Sequence, residues 1–138
     1  MARGRILAID FGTKNVGLAC CDELGIAVRP LASVRLISRR DLISRLRSTI
    51  QRNEIRELVV GMPLNMNGSS GNSVSMVERF VEVLRREFEL PLKYIDERLS
   101  TLEAIDFWNN MSPRQQRRYR TVDSLAAALI LERYLRES

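Results

Sequence analysis

No histidine occurs anywhere in the chain, and this absence removes more chemistry than any other feature of the sequence. Ser-His-Asp and Cys-His catalytic arrangements, imidazole general bases and histidine metal sites are all excluded. Cysteine is nearly absent too, with only Cys20 and Cys21, side by side. Adjacent cysteines rarely bridge each other, and with no further thiol or imidazole a zinc site is excluded. Both lie in the apolar run VGLACC, so buried free thiols are expected. No apolar run approaches the ~18 residues that a membrane span needs. Near the N-terminus the apolar stretch after Arg5 runs straight into Asp10. That is too short for a secretory signal, so a cytoplasmic protein is expected. Any hydrolytic chemistry must therefore rest on carboxylates, hydroxyls or a hard metal ion.

Lysine is the remaining scarcity: Lys14 and Lys93 stand against twenty arginines, and the net charge is +5. A basic surface suits a polyanionic partner; GC-rich codon usage is the alternative source of the arginine bias, but it leaves the excess of positive charge standing. The 45% apolar and 28% charged residues are the proportions of an ordinary globular protein. With 138 residues the chain can bury a core without disulfides, and one domain over 1–138 is expected.

RILAIDFG and VGLACCD are short apolar runs around the turn-rich GTKN, the pattern of a β-hairpin. A third extended segment, IAVRPLASVRL, follows the turn at Asp22–Gly25. Ser38 or Asp41 opens a helix with Leu42, Ile43, Leu46 and Ile50 on its apolar side. ELVVGM reads as a buried strand running into the loop PLNMNGSSGNS. Val77, Phe80, Val81, Leu84 and Phe88 then form an apolar stripe along one helix face. Pro91 opens the strand LKYID, Ser100 and Glu103 form a capping-box pair, and the basic segment SPRQQRRYR leads to a last helix from about Thr121. The order β-β-β-α-β-α-β-α-α implies a mixed central sheet with helices on its faces.

Three acids stand out. Asp10 ends a strongly apolar strand, where an ionised carboxylate is costly unless a metal ion or cation compensates; an Asx-type cap on the GTK turn is the alternative. Asp96 and Glu97 end the strand LKYID, and strand ends at the carboxyl edge are where α/β sheets build sites. If that strand lies beside the first, Asp10 and Glu97 converge and require a divalent cation between them; otherwise Glu97 pairs with Arg98. Asp96 is the reserve candidate. Asp123 falls in the first turn of the last helix, with Thr121 a plausible N-cap. An acid there also suits the helix dipole, while Ala126 and Ala127 let the helix carry it close to the sheet. The glycine- and hydroxyl-rich loop GMPLNMNGSSG lacks the Lys-Ser/Thr pair of a Walker loop. Asn67, Ser69 and Ser70 could still contact phosphates from it. Arg114, Arg117, Arg118 and Arg120, with Tyr119 among them, suit a phosphate backbone with one ring to stack on a base; a solvated loop is the plainer reading.

Taken together, DFGTKNVGLA (10–19), VVGMPLNMNGSSG (59–71), DERLST (96–101) and TVDSLAAALILERYL (121–135) resemble, in order, the YqgF-type, RuvX-like family, described as pre-16S rRNA nucleases or Holliday-junction-resolvase homologues. The resemblance implies an α/β, ribonuclease-H-like fold and a metal-dependent nuclease. Its catalytic carboxylates fall on Asp10, Glu97 and Asp123, which would hold Mg²⁺ or Mn²⁺ while Lys14, Arg98 and the 114–120 cluster neutralise backbone phosphates. One departure is Asn15, where relatives often carry a basic residue. The implied partners are an rRNA precursor or branched DNA and no membrane, for a monomer or homodimer. Two other classes compete. One is a non-catalytic RNA- or junction-binding assembly factor on the same fold. The other is suggested by the DxGT pattern of Asp10–Thr13, which also occurs in actin-like ATPases and sugar kinases, but those need two such domains.

Overall fold

A computed structural model describes residues 4–12, 14–62, 72–96 and 100–137. Five strands, β1 (Arg5–Phe11), β2 (Asn15–Cys21), β3 (Val28–Arg35), β4 (Ile55–Met62) and β5 (Leu92–Asp96), form one mixed sheet in the order β3-β2-β1-β4-β5. Five helices accompany them: α1 (Arg39–Arg52), α2 (Asn72–Glu87), α3 (Ser100–Asn109), α4 (Pro113–Tyr119) and α5 (Val122–Glu137). The opening meander is antiparallel, β1 to β2 and β2 to β3, whereas β4 and β5 join in parallel through helical crossovers. In the turn between β1 and β2 the Gly12 N–H donates to the Asn15 carbonyl at 2.9 Å.

The period-two alternation of the central strands decides which helix packs where. Leu7, Ile9 and Phe11 of β1 and Val16, Leu18 and Cys20 of β2 point to one face, against Leu42 and Leu46 of α1 and Val77, Val81 and Leu84 of α2. These are large side chains, and Phe11 stacks on Phe80 with ring centroids 4.6 Å apart. The other face presents Ile6 and Ala8 of β1 and Ala19 and Cys21 of β2, and α5 lies on it through Ala127, Ala128, Ile130 and Leu131. Small residues on both surfaces let this helix approach closely. Its opposite side, Leu125 and Ala126, packs on Ala104 of α3. Both cysteines are buried and neither forms a disulfide, as their apolar setting suggested.

Ser38 is the N-cap of α1, its hydroxyl accepting the Asp41 N–H at 3.1 Å. The stripe read along α2 is the buried one, with Phe80 partly covered. The Ser100–Glu103 capping pair involves a side chain outside those described. One expectation changes and one condition is not met. The segment SPRQQRRYR is helical: Ser112 and Gln115 form a reciprocal capping box and Pro113 occupies the first turn, so α4 precedes α5. The strand bearing Asp96 is not beside the first, because β4 pairs with β1 in parallel and each crossover steps outward. The axes of β1 and β5 thus stand two strand spacings, about 10 Å, apart. Among the described residues no helix is long and apolar enough to cross a membrane.

Candidate active site

Asp10 is one residue from the carboxyl end of β1 and only 9% exposed. Alternation puts it on the same face as Ile6 and Ala8, the face that α5 covers. Its partner across the antiparallel ladder is Gly17. Facing Cα atoms in such a pair are only ~4.5–5.5 Å apart.

Gly17 is the residue through which the last helix reaches the site. A Cβ built on it would lie 2.0 Å from the backbone carbonyl oxygen of Asp123 and 3.2 Å from the Asp123 Cα. Only a bare glycine leaves room for α5 to begin there. Beyond Gly17, β3 carries a bulge: Val16 pairs with Val34 and Leu18 with Leu31, leaving Ala32 and Ser33 opposite a single residue. The start of α5 is fastened to that bulge. The Thr121 hydroxyl caps the helix by accepting the Ser124 N–H at 3.0 Å, and donates to Ser33 Oγ at 3.4 Å. Ser124, wholly buried, donates its hydroxyl proton to the Leu31 carbonyl at 2.5 Å.

Asp10 and Asp123 are thereby brought together from opposite ends of the chain. Burial, and then the negative charge of Asp10, push the Asp123 carboxyl above the usual carboxylate range. The positive end of the α5 dipole acts in the opposite direction and does not prevail. The ion pairs recorded among the described residues involve neither acid. The Gly12 N–H, one candidate for a turn cap by Asp10, is taken by Asn15. A buried and a half-buried carboxylate close enough for the charge of one to act on the other are hard oxygen donors of the kind that suits a divalent cation. No third acid or thiol joins them among the described residues.

Glu97, Arg98, Asn67, Ser69 and Ser70 lie outside the described residues. Asp96 ends β5 in register with Met62. Since Leu92 packs with the α1–α2 core and Ile95 with the α5 core, alternation puts Asp96 on the sheet face away from Asp10. Its carbonyl accepts a hydrogen bond from Arg133 of α5. Lys14 is exposed in the turn beside Asp10, its carbonyl accepting the Leu36 N–H at 2.7 Å. Arg114, Arg117 and Arg118 share one exposed face of α4. Tyr119, expected to stack on a base, is instead partly buried against Ala104, Leu125 and Ala126. Arg120 is exposed and caps α4 with φ 71° and ψ −65°; the Thr121 N–H donates to the Tyr119 carbonyl at 2.8 Å across it, a strained γ-turn. Sequence reasoning missed Gly17 and Ser124. An isolated glycine inside an apolar strand is a signal of close backbone approach, and it was available for Gly17.

Residues 4–137 match the model of the RuvX family, described as Holliday junction resolvases. A Koribacter versatilis protein provisionally named as a pre-16S rRNA nuclease is 41% identical over 96% of this chain and 86% of its own length. A Geobacillus kaustophilus protein of the same provisional name is 39% identical over 95% and 96% respectively. Among solved structures, Thermus thermophilus RuvC in complex with a Holliday junction substrate aligns over 99% of this chain and 97% of its own, with a TM-score of 0.58 and 13% identity. The fowlpox virus resolvase in complex with Holliday junction DNA aligns over 96% and 97%, with a TM-score of 0.60 and 13% identity. At such identities these two structures speak to the fold alone, and it is the ribonuclease-H-like fold expected.

Proposed function

The chain belongs to the RuvX family, and from that premise we propose that it is a metal-dependent nuclease hydrolysing phosphodiester bonds in structured nucleic acid, with 5′-end processing of pre-16S rRNA its leading task. The observation that carries this reading is the pairing of Asp10 and Asp123 across Gly17. A fold that buries Asp123 and sets it beside Asp10, both of which raise its pKa, bears a cost that a bound cation recovers. Mg²⁺ or Mn²⁺ suits an all-oxygen set of Asp10, Asp123 and Glu97; Asp96 is disfavoured because it faces the other side of the sheet. The bound ion would supply Lewis-acid activation of water and of the phosphoryl group.

The chain's own residues do the rest. Asp10, held in a strand paired on both sides, gives a carboxylate that cannot drift. Asp123 is fixed through the Thr121 and Ser124 hydrogen bonds to β3. The exposed Arg114, Arg117 and Arg118 of α4 lie just ahead of Asp123 in the chain, with Lys14 beside Asp10. They neutralise backbone phosphates and hold the strand at the carboxylates. Arg98, Asn67 and Ser69 are assigned to the same contact surface on the family resemblance. This task would place the protein in the cytoplasm.

The family's own description favours a second substrate, the four-way DNA junction. Cutting two symmetric junction strands calls for a pair of sites and hence a homodimer, whereas trimming an RNA end needs one protomer. Matched pre-16S rRNA and junction substrates, assayed with Mg²⁺ and with Mn²⁺, separate the two. Preferred cleavage of the rRNA precursor is expected; preferred, paired incision of the junction would replace the leading reading with the second. Binding without metal-stimulated turnover of either would leave the assembly-factor class.

A further inference from the structure

Two strands away from Asp10, the outer edge of the sheet holds an open cavity of about 410 Å³, between β3, the C-terminal turn of α1 and the junction of α4 with α5. Arg29, Arg52 and Arg120 line it together with Asn53 and Thr49, and among the described residues no carboxylate does. These arginines come from three separate elements, so their convergence is a product of the fold and not of a basic stretch of sequence. Arg29 is set in place by donating to Asn53 Oδ1 at 2.8 Å. Arg120 lines the cavity at the apex of the γ-turn, a strained conformation for a non-glycine residue. Three guanidinium groups around one unneutralised cavity form a trap for an anion.

We propose that this cavity binds a backbone phosphate of the nucleic acid held at the carboxylates. Among the described residues no aromatic ring lines it, so the base of a free nucleotide would find no stacking platform there, whereas the guanidinium forks match a phosphodiester. The cavity's nearest wall, Ala32, stands two strand spacings, about 10 Å, from Asp10, across Gly17 and the bulge. Arg29 lies further along β3, paired with Cys20, which in turn pairs with Leu7, and with Arg52 it belongs to the α1 side of the sheet edge. The phosphate that the cavity takes therefore lies around that edge from the bond that is cut, and holding it sets the register of the bound nucleic acid.

The inference rests on the nuclease reading, and the test separates the two. Binding of a labelled four-way junction and of an rRNA-precursor stem is followed by fluorescence anisotropy from 50 to 300 mM salt, on the full chain. Wild type is compared with Arg29→Gln/Arg52→Gln and with Arg85→Gln/Arg86→Gln, which removes the same charge from exposed positions on α2. Arg52→Gln alone is included because it leaves the Arg29–Asn53 bond in place. Release of one phosphate contact lowers the slope of log K against log salt by about 0.9. That loss is expected in both cavity variants and not in the α2 pair. An equal loss in cavity and α2 variants, or an unchanged slope in the cavity variants, would overturn the inference while leaving the nuclease reading intact. Absence of any binding by wild type would overturn both.

Discussion

Replacing Gly17 with alanine adds one methyl group to a position where the fold has no space for it. The new carbon would stand 2.0 Å from the Asp123 carbonyl oxygen and 2.5 Å from its carbonyl carbon. Both are backbone atoms, so no side chain can swing aside. Comfortable contacts to carbon lie near 3.5 Å, so the first turn of α5 would have to withdraw by about 1.5 Å. Withdrawal loosens the 2.5 Å bond from Ser124 to the Leu31 carbonyl and the Thr121–Ser33 contact. Overpacking of this kind costs roughly 1–3 kcal/mol, and rigid neighbours on both sides put Gly17→Ala near the upper end. For a chain of this size that is a fall in Tm of roughly 10 °C. The effect on turnover is larger, since a displacement of ~1 Å in a catalytic group costs about a hundredfold. Thermal denaturation and single-turnover cleavage of the rRNA precursor, below the variant's melting range, measure both. A variant with the stability and rate of wild type would refute the close approach of α5 to β2 as the device that positions Asp123.

Asp123→Asn should stabilise the metal-free protein at neutral pH while abolishing cleavage. The raised pKa of Asp123 means that the folded state holds its proton more tightly than the unfolded chain. The stability from that proton is complete below the unfolded value of 3.8 and is lost as pH rises through the folded value. Melts in EDTA from pH 3 to 8 should therefore show variant and wild type level at the acid end and the variant ahead above that window; a variant no more stable than wild type at pH 7 would contradict the burial of Asp123 beside Asp10. Mg²⁺ should raise the Tm of wild type, and of Asp123→Asn much less; an equal rise in both would contradict metal binding at Asp123. Arg120→Gly should be more stable than Arg120→Ala by about 1 kcal/mol in urea titrations, because glycine accepts the positive φ of 71°. The two should lose nucleic-acid affinity alike, and equal stability would remove the argument for strain.

The elements that were legible in the sequence are those whose signals are local. The hairpin around GTKN, the α2 stripe and the Ser38 cap each follow from a few neighbouring residues, and Asp10 stood out because an acid at the end of a buried strand is expensive anywhere. What escaped was non-local. The position of β4 between β1 and β5 is decided by two parallel crossovers, whose lengths do not state which side the chain returns to. Gly17 merged into the run VGLACC because its role is defined by a helix more than a hundred residues later. The α4 helix was the exception: Ser112, Pro113 and Gln115 are a local start signal, masked by the density of arginines after them. Arg29 and Arg52 had no motif to belong to, since only folding brings them to Arg120.

The central claim is that the carboxylate in β1 serves catalysis and not the stability of the hairpin. Asp10→Asn keeps the shape of the side chain and removes its charge. Cleavage of the rRNA precursor in saturating Mg²⁺ or Mn²⁺, measured beside binding of the same RNA and thermal stability, tests this most directly. Cleavage should be lost, binding retained and Tm unchanged or higher. A variant that cuts as wild type does, or that loses cleavage only because it no longer folds, would contradict it.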